Sequence, residues 1–415
     1  VNIVYVFPDG PSDRAGLLIG DKIIKVNDSS LTRKGFSING IKALIRGPKG
    51  SQAVLQVIRA GKQQTFTVTR GKIPVPSVDA SYMIDKATGY IKLTKFTETS
   101  YEEFMQSMEK LQQQGLQNLV FDLRGNGGGF MNEAVEMADE FLDGDKLIVY
   151  TEGVNSKKKE YRCKRPGLFE KGKLVLLVDE LSASASEVLA GALQDWCRAT
   201  IIGRRTFGKG LVQEQYELRD GSAMRLTVAR YYTPLGRSIQ RSYEKGKKVY
   251  MDELWERFSS GELVSADSIK LFNGKRFMTS CSDTLYGGGG ITPSVFIPID
   301  TSVSQQKANR LTFAANINNF VYNYYLQNKL QVDKYNATTD FIAGFNNTEN
   351  MWNELVKFTA NDSANFNSVG GKEKELIQQR LKALLARYKW RNPGFYQVLN
   401  SNDAMVKKAL ETIAK

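Results

Sequence analysis

The feature that most constrains the fold is an alternation of strand-like and helix-like runs from residue 73 to about residue 300. Apolar runs such as "LQNLVFDLR" and "KLVLLVD" are typical of buried strands, and runs such as "SYEEFMQSMEKLQQQG" follow the helical period. Strands that alternate with helices require crossover connections, which pack helices against a sheet. The sequence therefore predicts an α/β core.

Two regions of different character flank this core. Residues 1–72 consist mostly of short strand-like runs, including "NIVYVF" and "QAVLQVIRAG", and the proline-containing stretch 71–78 indicates a boundary. After about residue 300, apolar residues recur at the helical period. We therefore predict three regions: a β-rich domain at 1–72, an α/β domain at 73–300 and a helical region at 301–415.

The composition argues against several classes of site. The 415 residues contain no histidine, and the three cysteines, Cys163, Cys197 and Cys281, form no CxxC pair. Because histidine is the commonest ligand of transition metals, we expect no metal and no other cofactor. The scattered cysteines indicate neither a zinc site nor a disulfide framework, and their odd number leaves at least one thiol free or intermolecular. The apolar runs are too short to cross a bilayer, so we expect no integral membrane segment.

The net charge of +13 is unevenly distributed along the chain. Residues 1–72 contain twelve Lys and Arg against four Asp and no Glu. Such a surface either keeps the protein soluble or attracts anionic groups such as peptide carboxylates, and both interpretations stay open. Because no concentrated basic tract or recognition motif accompanies this charge, we do not expect nucleic acid as a partner.

Ser184 lies where the run "KLVLLVDELSAS" passes from a strand into a helix. Its spacing to Glu187 is that of a capping box, so the simplest role of this serine is to cap the helix. The same position also places its hydroxyl at a helix N-terminus, where backbone N–H groups and the helix dipole stabilise developing negative charge. Ser184 is therefore also a candidate nucleophile.

A serine nucleophile needs a base, and the absence of histidine restricts the choice. A carboxylate is too weak a base at neutral pH, which leaves lysine, the base of Ser–Lys enzymes. Lysine accepts a proton only in its neutral form, which burial favours. Lys209, in the glycine-flanked run "TFGKGLV", is the candidate base. Gln213 would lie on the same side of a strand as Lys209 and orient the amine of that lysine.

Two glycine-rich runs allow other interpretations. "GRRTFGKG" is one residue short of a phosphate-binding P-loop, but Gly210 stands where the Mg²⁺-binding hydroxyl residue would be, and a strand-like run follows. An NTPase is therefore disfavoured. "FDLRGNGGGF", residues 121–130, is compatible with a simple turn, and also with backbone N–H groups that approach an acyl carbonyl. The amides of Gly128 and Ala185 are the candidate oxyanion donors.

Three of these motifs, "SASASEVLAGALQD", "TFGKGLVQ" and "DLRGNGGG", together resemble the carboxy-terminal processing peptidases, also called tail-specific proteases. "YYTPLGRSIQ" and "GGGGITPSVFIP" are similar as well, and the resemblance covers about residues 1–300. It implies a crotonase/caseinolytic-protease-like α/β peptidase core with a PDZ domain before it. The resemblance also implies a catalytic pair of Ser184 and Lys209 supported by Gln213, and an influential aspartate at Asp195.

The resemblance carries further expectations for the binding of substrate. The oxyanion glycine falls in the "DLRGNGGG" loop, where we choose Gly128 with Gly127 and Gly129 as alternatives. "PSDRAGLLIGDKIIKVND" is similar to the core turn of the PDZ domain, but the first PDZ strand and its carboxylate-binding loop would precede Val1. We therefore expect an N-terminally incomplete PDZ-like domain. We assign the side of its peptide-binding groove to Ile41 and Ile45.

The sequence thus predicts a serine endopeptidase that cleaves proteins near or from flexible C-terminal tails through an acyl-enzyme. The resemblance implies a location in the bacterial periplasm or cell envelope. Two alternatives stay open: a catalytically inactive PDZ-type peptide-binding scaffold, and a crotonase-type site for an acyl-CoA or another small ligand. A homo-oligomer is compatible with the sequence, which identifies neither the natural substrate nor the cleavage motif.

Overall fold

The structure is a computed structural model. It describes residues 1–32, 37–73, 75–269, 275–301, 316–360, 366 and 369–415. The chain divides into two compact units, one of Val1–Val75 with Asn309–Phe395 and the other of Pro76–Ala308 with Tyr396–Lys415. All the predicted catalytic residues lie in the second unit.

The first unit contains a four-stranded antiparallel sheet with the strand order β2-β1-β3-β4. Alternate residues of β3, namely Ala53, Leu55 and Val57, are buried, as expected for a strand with one face on the core. The run "NIVYVF", expected as a strand, pairs in the manner of a strand at Asn2, opposite Lys22, and Ile3 adds backbone hydrogen bonds with Gly20 and Asp21. The elements are β1 Lys22–Val26, β2 Ser29–Ser30, β3 Gln52–Arg59 and β4 Lys62–Thr69, with helices α1 Pro11–Arg14 and α2 Ile38–Ile45.

Helices form the remainder of the first unit. They are α7 Ile317–Gln327, α8 Lys329–Asp333, α9 Thr338–Gly344, α10 Thr348–Phe358 and α11 Gly371–Asn400, which has a non-helical residue at Arg391 and continues into the second unit. Two lysines of α11 cap the shorter helices. Lys389 donates to the carbonyl oxygen of Asp333, and Lys382 donates to that of Ile342. Cations at these positions satisfy carbonyl groups that a helix end leaves free.

The core of the second unit is a six-stranded sheet with the order β16-β11-β10-β7-β6-β5, parallel except for the edge strand β5. Its central strand β10 is buried from Leu174 to Val178 because helices cover both faces. The strands are β5 Val78–Met83, β6 Thr88–Leu93, β7 Asn118–Asp122, β10 Lys173–Val178, β11 Thr200–Gly203 and β16 Val295–Phe296. The predicted α/β fold class is confirmed.

Helices on the two faces of this sheet come from different parts of the chain. One face packs on α3 Ser100–Gln113, α4 Met131–Asp139 and α5 Ala185–Asp195. The other face packs on α12 Ala404–Ala414, through apolar residues such as Val406 and Ala409. The last helix of the predicted C-terminal region is therefore part of the α/β unit. Residues 302–315 of that region lie outside the described residues, and the predicted domain boundaries stay predictions.

A second, antiparallel sheet with the order β12-β13-β8-β9 belongs to the same unit. Its strands are β8 Leu147–Glu152, β9 Lys159–Arg162, β12 Leu211–Glu217 and β13 Ala223–Tyr232. Helix α6 Gly246–Ser259 and the hairpin of β14 Arg276–Met278 and β15 Thr284–Tyr286 complete the unit. Strand β12 begins directly after the loop that carries Lys209.

The cysteines form a disulfide that their spacing in the sequence did not indicate. Cys197, which follows α5, is bonded to Cys281 in the turn between β14 and β15, whereas Cys163 is free and buried. The two bonded residues are separated by 84 positions in sequence. Spacing along the chain therefore could not reveal that folding brings them together.

Candidate active site

Ser184 lies at the turn between β10 and α5. Its backbone has φ 57° and ψ −113°, a conformation that is rare for a residue other than glycine and that occurs preferentially at functional sites. Ser184 is only 7% exposed, and the carboxylate of Glu187 accepts a hydrogen bond from its amide at 2.8 Å. The Glu187 half of the predicted capping box is therefore present, and it coexists with a strained backbone at Ser184.

Glu187 also binds the loop that carries Lys209. Its Oε2 accepts a second hydrogen bond, from the amide of Lys209 at 2.8 Å, and its Oε1 accepts from the amide of Gly208 and the hydroxyl of Thr206, both at 2.6 Å. Glu187 thus joins the turn between β10 and α5 (residues 179–184, the nucleophile turn) to the loop between β11 and β12 (residues 204–210, the lysine loop). The sequence indicated only the capping half of this arrangement, because the other donors come from a distant segment.

The Glu187 side chain is fully buried. Burial raises the pKa of this carboxyl, while its hydrogen bonds from Thr206, Lys209, Ser184 and Gly208 act in the opposite direction. Each of these donors is a neutral group that favours the ionised carboxylate. The site therefore contains a buried acceptor whose bonding is satisfied by four donors rather than by a cation.

The lysine loop is held on its other side by the segment 238–241. The amide of Arg241 donates to the carbonyl oxygen of Gly208 at 3.0 Å, and the Gln240 side-chain oxygen accepts from the amide of Gly210 at 2.8 Å. A Cβ atom on Gly210 would lie 2.8 Å from Ile239 Cγ1 and 2.9 Å from the Gln240 nitrogen. Glycine next to Lys209 thus permits this close packing.

The side chain of Lys209 is half-buried. Within the described part of the chain, no hydrogen bond joins Lys209 Nζ to Ser184 Oγ or to Gln213. Gln213 is exposed on β12, where a register shift follows Val212 in its pairing with β13. The structure therefore brings the backbones of Ser184 and Lys209 together, and the contact between their side chains stays a prediction, as does the role of Gln213.

The loop of three consecutive glycines at residues 127–129 (the glycine loop) directly contacts the nucleophile turn. Gly128 has φ +90°, and a Cβ atom added there would lie 2.6 Å from the carbonyl oxygen of Ala183 and 2.7 Å from Ser184 Cβ. The amide of Gly128 donates to Asn126 Oδ1 at 2.9 Å, whereas the amide of Ala185 has no acceptor among the residues described. Of the two predicted oxyanion donors, Ala185 is thus available and Gly128 is engaged.

A buried charged network lies at the start of the glycine loop. Asp122 accepts hydrogen bonds from Tyr90, Lys92 and Arg124, and Arg124 also forms an ion pair with Asp403 at 2.7 Å. Burial alone raises the pKa of Asp122, but the charges of Arg124 and Lys92 hold that pKa well below its usual range. This network was not predicted from the sequence, since its members come from β6, from the end of β7 and the residues just after it, and from the residue before α12.

Asp195 lies at the other end of α5, where it anchors the segment that leads to 238–241. Its carboxylate pairs with Arg237 at 2.5 Å and accepts from the amide of Leu235 at 2.9 Å. Both charged side chains are almost fully buried. Asp195 therefore makes its bonds to Arg237 and Leu235 rather than to Lys209, and these bonds anchor the chain that continues into the segment holding Gly208 and Gly210.

Tyr231 is a further polar residue at the site that the sequence analysis did not identify. It is 7% exposed, and its amide donates to the carbonyl oxygen of Gly210 at 2.8 Å. Burial raises the pKa of its phenol to about 12, although a hydrogen bond with the Ser184 side chain opposes this. The phenol is therefore neutral at pH 7 and lies beside the candidate nucleophile.

The predicted peptide-binding residues lie in the first unit. Ile41 and Ile45 are on α2, and both are partly buried. Ile45 packs against the core of the four-stranded sheet. Their role in binding peptides stays a prediction.

Over the described ranges, no group of three or more Cys, Asp or Glu side chains is arranged to hold a metal ion. None of the helices described is both long and apolar enough to span a membrane.

Known proteins match three parts of the chain. Residues 87–246 match peptidase family S41, residues 3–59 match a PDZ domain, and residues 308–391 match a family of unknown function. These matches confirm the predicted peptidase core preceded by a PDZ domain.

Curated relatives cover part of the chain. It is 38% identical over 240 residues to the carboxy-terminal processing protease CtpA of Bacillus subtilis, an alignment that covers 58% of this chain and 51% of that protein. It is 35% identical over 246 residues to the carboxyl-terminal-processing protease of Synechocystis sp., with 58% and 57% covered. The chain thus spans little more than half the length of these relatives. Among solved structures, the photosystem II D1 C-terminal processing protease is 28% identical over 72% of this chain and 68% of its own, with a TM-score of 0.39.

Proposed function

The chain is a relative of the carboxy-terminal processing peptidases, and from this premise we propose that it is a serine endopeptidase acting through Ser184 and Lys209. The observation that carries the proposal is the Glu187 carboxylate, which accepts hydrogen bonds from the backbone amides of both residues. A serine at a helix N-terminus and a lysine held beside it are the two groups that a Ser–Lys peptidase requires.

In the acylation step, Ser184 Oγ attacks the carbonyl carbon of the scissile peptide bond and its proton passes to the neutral amine of Lys209. The carbonyl oxygen becomes an oxyanion. When the C–N bond breaks, Lys209 returns the proton to the leaving amine, and the acyl group stays on Ser184 as an ester. In the second step Lys209 accepts a proton from water, whose oxygen attacks the ester carbonyl carbon. The bond between that carbon and Ser184 Oγ then breaks, Lys209 returns the proton to Oγ, and the acid product is released.

The oxyanion is stabilised by backbone amides at the start of α5 and in the glycine loop. Ala185 supplies the first donor, because its amide has no other acceptor in the described structure and lies at the positive end of the helix dipole. Gly128 supplies the second donor once its amide leaves Asn126 Oδ1. The amide of Gly127 or Gly129 serves as the alternative.

The substrates in this proposal are proteins with flexible C-terminal tails. The PDZ domain binds such a tail along α2, beside Ile41 and Ile45. The named relatives are bacterial, and we place this protein in the bacterial cell envelope. Gln213 orients the amine of Lys209 when the substrate is bound.

The test is cleavage of an unfolded protein with an apolar C-terminal tail by the intact chain, Ser184→Ala and Lys209→Ala. The proposal requires that each change abolish cleavage while the circular dichroism spectrum is retained. A fluorophosphonate probe should label Ser184 of the wild-type chain, which a crotonase-type acyl-CoA site would not predict. Activity that survives Lys209→Ala would show that another group is the base.

The inactive scaffold is the second candidate, and two observations favour it. Across the described residues, Lys209 Nζ makes no hydrogen bond to Ser184 Oγ, and the Gly128 amide is engaged by Asn126. A scaffold would bind the tail peptide without cleaving it, and Ser184→Ala would leave its affinity for the peptide unchanged. Peptide binding without fluorophosphonate labelling would support the scaffold over the peptidase.

A further inference from the structure

The three serines of "SASAS" lie at alternate positions, and the outer two do not share the environment of Ser184. Ser182 and Ser186 are both fully buried. Ser182 Oγ donates to the carbonyl oxygen of Leu123 at 2.9 Å, and Ser186 Oγ donates to the carbonyl oxygen of Asn126 at 2.9 Å. The proposed reaction assigns no role to either hydroxyl.

Both acceptors belong to the segment 123–126, which leads from β7 into the glycine loop. The same segment is bound by the backbone of the nucleophile turn, because the amide of Ala183 donates to the Asn126 carbonyl oxygen at 3.0 Å. Asp179 adds a further bond at the start of the turn, accepting from the amide of Gly125 at 2.9 Å. The two serine hydroxyls are thus part of a buried seam between residues 179–186 and 123–126.

This seam continues into the loop through Asn126, which is fully buried. Its side-chain amide donates to the carbonyl oxygen of Leu93 at 3.1 Å and accepts from the amide of Gly128 at 2.9 Å. Gly128 in turn is packed so closely against Ser184 that a Cβ atom would overlap Ser184 Cβ. The position of the loop amides relative to Ser184 Oγ is therefore determined by the bonds of the seam.

We infer that Ser182 and Ser186 are positioning residues, whose hydroxyls hold the glycine loop in register with Ser184 so that its amides meet the oxyanion. This inference rests on the proposed peptidase function. Catalytic geometry is sensitive to small displacements, and a shift of about 1 Å is able to lower a rate by about 100-fold. Two buried hydroxyl-to-carbonyl bonds on either side of the nucleophile are suited to prevent such a shift.

The test compares Ser182→Ala, Ser186→Ala and the double variant with Ser107→Ala. Ser107 is a matched control, because its hydroxyl also donates to a backbone carbonyl, that of Glu103 at 2.8 Å, but both residues belong to α3. For each chain we would measure kcat and KM on a peptide cleaved by the wild type, the rate of Ser184 labelling by a fluorophosphonate, and the melting temperature.

We expect kcat and the labelling rate of the double variant to fall by about 10- to 100-fold, with KM changed less than about twofold. Ser107→Ala should keep the wild-type kcat. Ser182→Thr and Ser186→Thr retain the hydroxyl, and at least one should recover most of the lost kcat. If the Ser182→Ala/Ser186→Ala double variant does not fold, kcat and the labelling rate of the two single Ala variants test the inference by the same criteria.

Wild-type kcat in both single Ala variants and the double variant would overturn the inference. A loss of activity that only follows the unfolded fraction, or Thr variants no better than their Ala counterparts, would also overturn it. A wild-type chain that neither cleaves peptides nor reacts with the probe would instead contradict the proposed function itself. The two failures are therefore distinguishable.

Discussion

The carboxylate oxygen Oε2 of Glu187 lies 2.8 Å from the amide nitrogen of Ser184 and 2.8 Å from the amide nitrogen of Lys209. One buried atom thus connects the backbone of the candidate nucleophile to that of the candidate base. Because both bonds are made by the backbone, the arrangement does not depend on the rotamers of the two reactive side chains.

Glu187→Gln is therefore expected to reduce both stability and activity. The new amide group retains one oxygen but turns an NH₂ toward amide donors, and a buried donor without an acceptor costs about 1–3 kcal/mol. Urea unfolding and kcat on a peptide substrate measure the two effects. Glu103→Gln is the control, because that carboxylate also accepts backbone amides, from Ser77 and Val78. A kcat as high in Glu187→Gln as in this control would contradict the prediction.

The pKa of Asp122 predicts how stability depends on acidity. Arg124 and Lys92 hold this pKa well below its usual range despite burial, so the carboxylate contributes stability that is fully present above the ordinary Asp pKa of about 3.9. That contribution is lost as the pH falls from this value toward the lower pKa of the folded state.

Asp122→Asn should consequently destabilise the protein at pH 7, by about 3–5 kcal/mol, because it removes the buried negative charge that pairs with Lys92 and Arg124 and leaves Arg124 only its pair with Asp403. The difference in the free energy of unfolding between the wild type and Asp122→Asn should shrink as the pH is lowered below about 4. Urea unfolding between pH 3 and pH 7 measures how the free energy of unfolding of each protein depends on pH. Asp143→Asn should change the shape of this pH dependence much less, because its pair with Lys146 is exposed and solvent screens it. A wild-type to Asp122→Asn difference that is constant with pH would show that ionisation of Asp122 does not stabilise the fold.

Local patterns were sufficient to predict the elements that carry the site. The apolar run before Ser184 predicted a buried strand, and the capping spacing to Glu187 predicted the start of α5, because both signals lie within a few residues. The bonds from Glu187 to Gly208 and Lys209 were not predicted. They join segments from different parts of the chain, and nothing in either segment specifies the other.

The same limit applies to contacts that close the core. The apolar period after about residue 300 predicted a helical region at 301–415, but not that its last helix, α12, covers one face of the β5–β16 sheet. The ion pair of Arg124 with Asp403 follows from that placement and was likewise not predicted. The residues themselves made Ser184 a candidate nucleophile and Lys209 its candidate base. The resemblance to a peptidase family then favoured these roles over those of a helix cap and a surface lysine.

The Cys197–Cys281 bond predicts sensitivity to reducing agents. It closes a segment that includes the Lys209 loop, and restricting the unfolded chain over a separation of 84 residues is expected to stabilise the fold by about 2–4 kcal/mol. Dithiothreitol should lower the urea midpoint of the wild type and should have no effect on a Cys197→Ser/Cys281→Ser double variant.

Thiol titration provides the control for this prediction. The unfolded, unreduced wild type should contain one reactive thiol, from Cys163, and three after reduction. Cys163→Ala should keep the response to dithiothreitol. Three reactive thiols before reduction would show that the bond does not form.

The last prediction concerns two neighbouring glycines that differ in their surroundings. Gly128 has φ +90°, and a Cβ atom there would lie within 3 Å of Ala183, Ser184 and Ala185, whereas a Cβ atom on Gly127 meets no atom within 4 Å. Gly128→Ala must therefore displace the loop from the nucleophile turn, and kcat is expected to fall by about 100-fold or more, as when an oxyanion donor is lost.

Gly127→Ala retains every backbone amide and adds a methyl group in open space, so its kcat should stay within about twofold of the wild type. Peptide cleavage by the two variants, compared at equal folded concentration, measures the difference. Equal kcat values would mean that the contact between the loop and Ser184 does not control the reaction. A fall in kcat in Gly127→Ala alone would instead indicate that the oxyanion lies on the side of the loop that residue 127 faces. A side chain at residue 127 would there obstruct the substrate.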